Sequence, residues 1–487
     1  MPEQPDTGHP DTRDLGTHRP LAPPPVTGRA TPPSEPPPAP APSYSPSPSP
    51  SPTVGRRPTD VTLYASGTLR LPARVHFGHG SRALLPDLVA LHGSRVLLVA
   101  DPFLSATPYL GDLTRSLASA GLTVRTFSDI TPELPAGSLD TAAAVARAHD
   151  TEVVLAVGGG SALDAAKLIA LLCAHEGPLS RYYGENLVPG PVLPVVAVPT
   201  TAGTGSEVTP VAVVSDPDRE LKVGISSPFL VPAAAVVDPD LTLGAPRAVT
   251  AHSGIDALVH AAESYTARSL DTGRPPDTGR PVLVPVPAPV TEPAPVPVFT
   301  GRNALAEPMA LRAAALLGPW LPVAVREPSH RQARHQVALG ALSAGIAFGS
   351  TGTHLCHALQ YAVGALTRTP HGLGTGLLLP YVLDTLRAEP EGAERVAAFG
   401  AALEQVPTHE ASPGRTVARV AEINRAIGVP ASLREIGVGR DQFPRLADLA
   451  LKSARLLAIA PVEPTRDLLL DIIRRAHAGT LDDRTVA

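Results

Sequence analysis

In the stretch SGIDALVHAAESYTA, Asp256 and His260 stand four residues apart, so on a helix the carboxylate and the imidazole share one face. In HALQYAVGALTRTPHG, His357 and His371 are separated by enough chain for a helix, a turn and a return into a cleft. One carboxylate and three neutral imidazoles suit Fe(II) or Zn(II) and leave a coordination position for a substrate oxygen. The four together predict a metal centre of Asp256, His260, His357 and His371. Taken singly, each histidine reads as an ordinary surface or hydrogen-bonded residue, and a lone D-x-x-x-H is a weak signal. His252 and His354 flank the set and are read as bystanders.

Two loops suggest a phosphate-bearing ligand beside that centre. VVLAVGGGSALDAAKLIA reads as strand, glycine turn and helix. Gly158, Gly159 and Gly160 let the backbone approach a bound group, while Ser161 and the first helix amides present donors to an anion. The spacing is not GxGxxG, and a tight strand-to-helix connection is the alternative. Asp164 in the same stretch joins the candidate cofactor residues. PTTAGTGSEVTP follows another buried strand. Thr200, Thr201, Thr204 and Ser206 could wrap a nucleotide's polar groups while Gly203 and Gly205 keep the loop close; the alternative is a polar surface turn. Asp101, ending the run RVLLVAD, could accept from an adenosine ribose and repel a 2′-phosphate, which favours NAD over NADP. A turn or N-cap aspartate before Pro102 is the competing reading.

These residues need elements to place them. RVLLVAD, TEVVLAV, LPVVAVP and AAAVVDP are short β-branched runs that look buried on both faces, with helical stretches between some of them. The alternation predicts a parallel, doubly wound sheet over residues 61–245. Strand signals vanish beyond 246, and residues 246–487 carry helical periodicity. The expected fold class is therefore an α/β N-terminal dinucleotide-binding domain plus an all-α C-terminal domain, with the ligand site in the cleft beyond the strand ends. Residues 1–60 are rich in Pro, Ser and Thr and are expected to be a disordered extension. A Pro-rich insertion at about 270–300, within which 274–298 alternates Val with Pro, is expected to be an extended surface loop.

Composition narrows the function class. The chain has 487 residues, 58 prolines, 41 glycines and a formal net charge of −5. No basic stripe points to nucleic acid. Two cysteines, Cys173 and Cys356, make no disulfide framework and are expected to be reduced. No signal-peptide pattern is read at the N-terminus, and no uninterrupted apolar run approaches the ~20 residues that span a bilayer. The expectation is a cytoplasmic homo-oligomer with a small-molecule substrate and neither a membrane nor a nucleic-acid partner.

Taken together, GGGSALDAAK, PTTAGTGSEVT, DPDL, GIDALVHAAESY and HALQYAVG…PHG resemble the motifs of the iron-containing (group III) alcohol dehydrogenase family, in that family's order. The resemblance covers roughly residues 70 to 475, apart from the Pro-rich insertion. It implies a dehydroquinate synthase-like fold, with metal ligands at Asp256, His260, His357 and His371 and a pyrophosphate turn at Gly158 to Ser161. It also implies a nicotinamide-side loop at Thr200 to Ser206, with Lys222 as a further cofactor contact. The implied activity is NAD(P)-linked hydride transfer between a small primary alcohol or hydroxyacid, or the aldehyde in reverse, and nicotinamide, with Fe(II) or Zn(II) as Lewis acid. NAD is the expected cofactor, with NADP also open.

Two departures stand out. Tyr361 occupies a position where many members carry a second histidine. It is expected either to orient the substrate or to fill space as a core aromatic. Pro132-Glu133 replaces a common Pro-Asn pair. Tyr361, GTHLCHALQY and VFTGRNALAEPMAL lean towards the branch of hydroxyacid–oxoacid transhydrogenase and bacterial aldehyde reductases. A transhydrogenase, a phosphonate-aldehyde reductase, a cyclase or glycerol-phosphate dehydrogenase on the same fold, and an inert scaffold with Pro-rich recruitment segments are the alternatives. The phosphorylated substrates are disfavoured because Lys and Arg are sparse around the ligand segments.

Overall fold

The computed structural model of the protein describes residues 67–131, 133–270 and 297–481. The expectations for residues 1–60 and for most of the Pro-rich insertion lie outside the described residues.

Nine strands occupy the first part of the described chain: β1 (Arg74–Phe77), β2 (Arg95–Ala100), β3 (Thr123–Phe127), β4 (Val153–Gly158), β5 (Gly184–Glu185), β6 (Val195–Pro199), β7 (Val211–Val214), β8 (Val223–Ser226) and β9 (Ala234–Val237). Six form one sheet in the order β1-β9-β6-β4-β2-β3, and every pairing in it is parallel. The four runs singled out in the sequence are its inner strands. Leu97 and Val99 face one apolar layer while Val96, Leu98 and Ala100 face the other. That two-sided burial is why β2 reads as a continuous apolar run. β1 and β3 are edge strands with exposed residues, and β5, β8 and β7 form a separate small sheet with an antiparallel β7–β8 pair. Both kinds lack a buried run, which is why the sequence did not announce them.

Four helices flank the sheet: α1 (Leu85–Ala90), α2 (Pro108–Ser119), α3 (Ala136–Ala148) and α4 (Gly160–Ala174). α1 and α2 cover one face, α3 and α4 the other. The order places β3 on one side of β2 and β4 on the other. Chain connections therefore diverge between β2 and β4, and a crevice opens at their C-terminal ends, where ligands bind in sheets of this type. Asp101 follows β2 and the glycine turn follows β4.

From Arg247 onward the long elements are helical: α5 (Arg247–Thr266), α6 (Glu307–Arg326), α7 (Arg331–Thr351), α8 (Leu355–Thr367), α9 (His371–Leu386), α10 (Pro390–Glu404), α11 (Pro413–Ile427), α12 (Phe443–Leu451), α13 (Ala454–Leu457) and α14 (Arg466–Ala478). α5 runs through the middle and is buried almost all round, so it lacks the one-sided pattern of a surface helix. α6 is long and apolar enough to cross a membrane by length and composition, although Arg312 interrupts its apolar run. Its Ala310, Ala314, Leu317 and Leu321 are buried in the helical core.

The Pro-rich insertion ends sooner than its composition suggested. Val298, Phe299 and Thr300 are buried, and the Val298 amide donates to the Glu185 carboxylate. The Leu270 amide donates to the Thr300 carbonyl at 2.9 Å, so the chain leaves and rejoins the fold at one place.

The two halves meet at the 200–206 loop. Gly205 has φ 63°, and a Cβ there would lie 2.5 Å from the Gly345 Cα of α7. Only glycine permits both the backbone conformation and that approach. The sequence assigned Gly203 and Gly205 to closeness with a nucleotide. In the structure they let the loop seat against α5 and α7, with Gly203 packed on Ser253.

Candidate active site

Asp256 and His260 lie one turn apart on α5, His357 lies in the first turn of α8, and His371 is the first residue of α9. The turn Arg368–Pro370 returns the chain from α8 so that His371 faces back. What brings α9 close enough is Gly372: a Cβ there would lie 2.0 Å from the His252 carbonyl oxygen and 2.9 Å from the Asp256 Cβ.

The four side chains converge. His260 Nε2 is 3.7 Å from Asp256 Oδ2, while His357 Nε2 and His371 Nε2 are 3.9 and 3.8 Å from Asp256 Oδ1. Donors bound ~2.1 Å from one ion at tetrahedral angles lie about 3.4 Å apart; the donors of Asp256, His260 and His357 all lie within 4.8 Å of one another, whereas His371 approaches through Asp256. The His357 and His371 rings meet edge to face at 5.1 Å, and the His260 and His357 rings stack at 4.9 Å. His357 Nε2 is buried and has no hydrogen-bond partner among the described residues. A buried nitrogen left without a partner beside a carboxylate and two more imidazoles fits a cation.

The electrostatics agree. Burial pushes the His260 imidazole down to about 4 and the His371 imidazole down to about 3, against the attraction of Asp256. Both rings are therefore neutral at neutral pH, the form that ligates a metal. Burial alone would raise the Asp256 carboxyl. His260, His371 and His357 around it, with the Thr375 hydroxyl donating at 2.8 Å, hold it below the usual carboxylate range.

Two supporting residues escaped the sequence reading. Glu263 lies on α5 seven residues after Asp256, on the same face, and is buried. It accepts from His357 Nδ1 at 2.6 Å, from the His354 amide at 3.0 Å and from the Cys356 amide at 2.6 Å. Burial opposes its charge, but His354 and His357 beside it hold the carboxyl at about 2. With Nδ1–H given to Glu263, His357 presents Nε2 as a lone pair. Thr375 steadies Asp256 in the same way. The signal was a carboxylate inside an otherwise apolar or small-residue helix. His354, read from the sequence as a bystander, is not idle, since its Nε2 meets the Thr266 hydroxyl at 3.0 Å.

A cavity of about 230 Å³ joins this cluster to the end of the parallel sheet. Asp256, His260, His357, His371 and Tyr361 line one side, and Gly160, Ser161, Asp164, Thr204, Ser206 and Lys222 line the other. The start of α4 leaves the Gly160 and Ser161 amides without helix partners, as every helix start does, and both residues line the cavity. Asp164 is spent internally: it accepts from the Ser206 hydroxyl at 2.6 Å and the Val213 amide at 2.9 Å. It and Ser206 brace the loop instead of offering free groups. Lys222 pairs with Glu133 at 2.6 Å, so the Pro132-Glu133 departure supplies a counter-charge to the expected cofactor lysine.

Asp101, Gly158, Gly159, Thr200 and Thr201 do not line that cavity. Asp101 Oδ2 accepts from the Gly159 amide at 2.9 Å and makes no N-cap bond, so its carboxylate rests on the glycine turn and occupies one of its donors. Thr201 packs beside Gly159, whereas Thr200 is buried with its amide on the Gly158 carbonyl.

Tyr361 lines the cavity and also fills space between helices. It packs on the helical core, and its ring centroid is 5.7 Å from that of His371. Burial raises its hydroxyl, so it stays protonated. Arg455 is the cavity residue the sequence missed. It comes from α13, far along the chain from the ligand segments, so the site is less poor in cations than their composition suggested.

Comparison with known proteins bears on the family and the fold. Residues 72–239 match the iron-containing alcohol dehydrogenase family, and residues 298–477 match the C-terminal part of the Fe-containing alcohol dehydrogenase family. The chain is 32% identical over 416 residues to long-chain-alcohol dehydrogenase 1 of Geobacillus thermodenitrificans, covering 84% of this chain and 96% of that protein. It is 32% identical over 366 residues to 1,3-propanediol dehydrogenase of Klebsiella pneumoniae, covering 74% and 86%. The crystal structure of a 1,3-propanediol oxidoreductase superposes with a TM-score of 0.74 at 29% identity, covering 84% of this chain and all of that one. Sulfoacetaldehyde reductase from Bifidobacterium kashiwanohense, solved with NAD+, superposes with a TM-score of 0.70 at 26% identity, covering 85% and 99%.

Proposed function

From the premise that the chain belongs to the iron-containing alcohol dehydrogenase family, we propose that it is an NAD-linked alcohol dehydrogenase and aldehyde reductase that holds its metal at Asp256, His260, His357 and His371. The observation that carries the assignment is the convergence of three imidazole Nε2 atoms within 3.9 Å of one buried carboxylate, in the cavity that also receives the start of α4. A bound divalent metal supplies Lewis acidity towards the substrate oxygen, and the nicotinamide supplies or accepts the hydride.

The chain's own residues do the rest. Glu263 fixes the His357 tautomer, and Thr375 fixes the Asp256 rotamer. The Gly160 and Ser161 amides face the dinucleotide's phosphates with the helix dipole behind them. Asp164 holds Ser206 and β7 so that the 200–206 loop keeps its shape. The Tyr361 hydroxyl donates to the substrate. Asp101 at the end of β2 faces the adenosine side and favours NAD over NADP. Fe(II) is proposed over Zn(II) on family grounds, since the donor set suits both.

The test is spectrophotometric. An aldehyde added with NADH should cause loss of nicotinamide absorbance, chelation should stop it, and Fe(II) or Zn(II) should restore it. Undiminished turnover in chelated, metal-free protein contradicts the proposal.

A further inference from the structure

Arg455 stands out among the arginines that line or border the interior. Arg334 donates to the Thr250 hydroxyl and the Pro328 carbonyl, Arg395 to the Tyr265 carbonyl, and Arg475 to Asp384. The Arg455 guanidinium lines the metal cavity, yet among the described residues it makes no hydrogen bond and no ion pair. Its only close partner there is the face of Phe299, 4.6 Å from guanidinium carbon to ring centroid. Phe299 is buried and lines the same cavity, so it holds the charged head in place without using its N–H donors.

The other charges of the cavity are accounted for. Lys222 pairs with Glu133, Asp164 accepts two hydrogen bonds, and Asp256 sits among the three histidines. Arg455 is the cation among the described lining residues that has no ion pair; Glu185, whose carboxylate accepts from the Val298 amide, acts on it from outside this cavity without reaching it. Burial also lowers its pKa, the sign of a charge held where water is scarce. A half-buried guanidinium is costly to leave unanswered, and its planar fork matches an oxyanion. Arg455 and Tyr361 line the same cavity, and the Tyr361 ring neighbours that of His371, so the cation shares the space in front of the metal cluster.

We propose that Arg455 anchors an anionic group carried by the substrate, which makes the preferred substrates short aldehydes and alcohols that bear an oxyanion away from the reacting carbon. The inference rests on the hydride-transfer reading above. The dinucleotide's phosphates are the other source of the same chemistry, and the experiment separates the two.

Full-length protein loaded with Fe(II) is assayed for NADH-dependent reduction of 4-oxobutanoate and of butanal, as wild type, Arg455→Gln and Arg455→Lys. Separately, 4-hydroxybutanoate and NADH are titrated calorimetrically into the metal-free proteins. Wild type should prefer the oxoacid by roughly tenfold or more in kcat/KM, as one charge-assisted hydrogen-bonded pair gives. Arg455→Gln should erase that preference while butanal turnover holds. 4-Hydroxybutanoate affinity should fall by about the same factor, with NADH affinity unchanged. Arg455→Lys should keep part of the preference, and it serves in place of Arg455→Gln if that variant fails to fold. An oxoacid preference that survives in Arg455→Gln overturns the proposal, as does a wild type indifferent to the carboxylate. Weakened NADH binding with intact 4-hydroxybutanoate binding assigns Arg455 to the dinucleotide and equally overturns it. If wild type reduces neither aldehyde, the hydride-transfer reading fails, and the calorimetry alone decides Arg455.

Discussion

Replacing Glu263 with Gln preserves the shape of the side chain and removes its charge. Each carboxylate oxygen faces two nitrogens: Oε2 takes His357 Nδ1 and the His354 amide, while Oε1 takes the Cys356 amide and lies 3.2 Å from His354 Nδ1. A carboxamide has one oxygen, so its NH2 must point at one of these pairs. Placed towards His357, it forces that ring to accept at Nδ1 and carry its proton on Nε2, the atom that faces Asp256. Placed towards Cys356, it sets two donors against each other, which costs about 1–3 kcal/mol of stability. Loss of a carboxylate behind a metal-binding histidine typically costs about 10–100-fold in metal affinity, or roughly 1.4–2.7 kcal/mol. The assay is Fe(II) or Zn(II) titration against a competing chelator, with a melting curve of the metal-free protein and an NADH titration. The expected result is a metal affinity lowered by about one to two orders of magnitude, a lower melting temperature and unchanged NADH binding. Metal affinity within about twofold of wild type would refute the role given to Glu263.

Three further outcomes are expected. Gly372→Ala should push α9 away from α5, because the new Cβ meets the His252 carbonyl at 2.0 Å; stability should fall by about 1–3 kcal/mol and metal content should drop, as elemental analysis and melting curves will show. Glu207 is buried, and burial raises its carboxyl to about 7, with Lys167 opposing. The folded state therefore holds a proton between the ordinary glutamate value and 7, and stability declines as pH rises across that window by about 3 kcal/mol. Glu207→Gln should raise the melting temperature at pH 8 and leave it near wild type at pH 5. Asp101→Gly removes a carboxylate that rests on the Gly159 amide, and the ratio of kcat/KM for NADH to that for NADPH should shift towards NADPH.

Much of the site was legible because its residues sit at spacings that only a helix or a strand end makes meaningful. Asp256 and His260 share a face by periodicity alone, and the Gly158–Ser161 turn announces itself between a buried strand and a helix. Glu263 was missed although its helix was read correctly, because its role is to hold His357 and depends on how α8 packs on α5. Arg455 was missed because proximity in the fold, not in the chain, brings it to the cavity. The assignments of Asp164 and Ser206 to the cofactor rested on their place in a motif. Their mutual hydrogen bond depends on how the 200–206 loop folds onto α4. The edge strands β1 and β3 were invisible because half-exposed strands lack an apolar run, while the inner strands, apolar on both faces, were plain.

The central claim is that Asp256, His260, His357 and His371 hold one metal ion on which turnover depends. Elemental analysis of purified protein, beside the same analysis of Asp256→Ala, tests it most directly. The account predicts close to one Fe or Zn per chain in wild type and a large loss in the variant, with NADH affinity retained because the glycine turn lies on other elements. A variant that retains its metal, or a wild type that turns over fully without any, would contradict it.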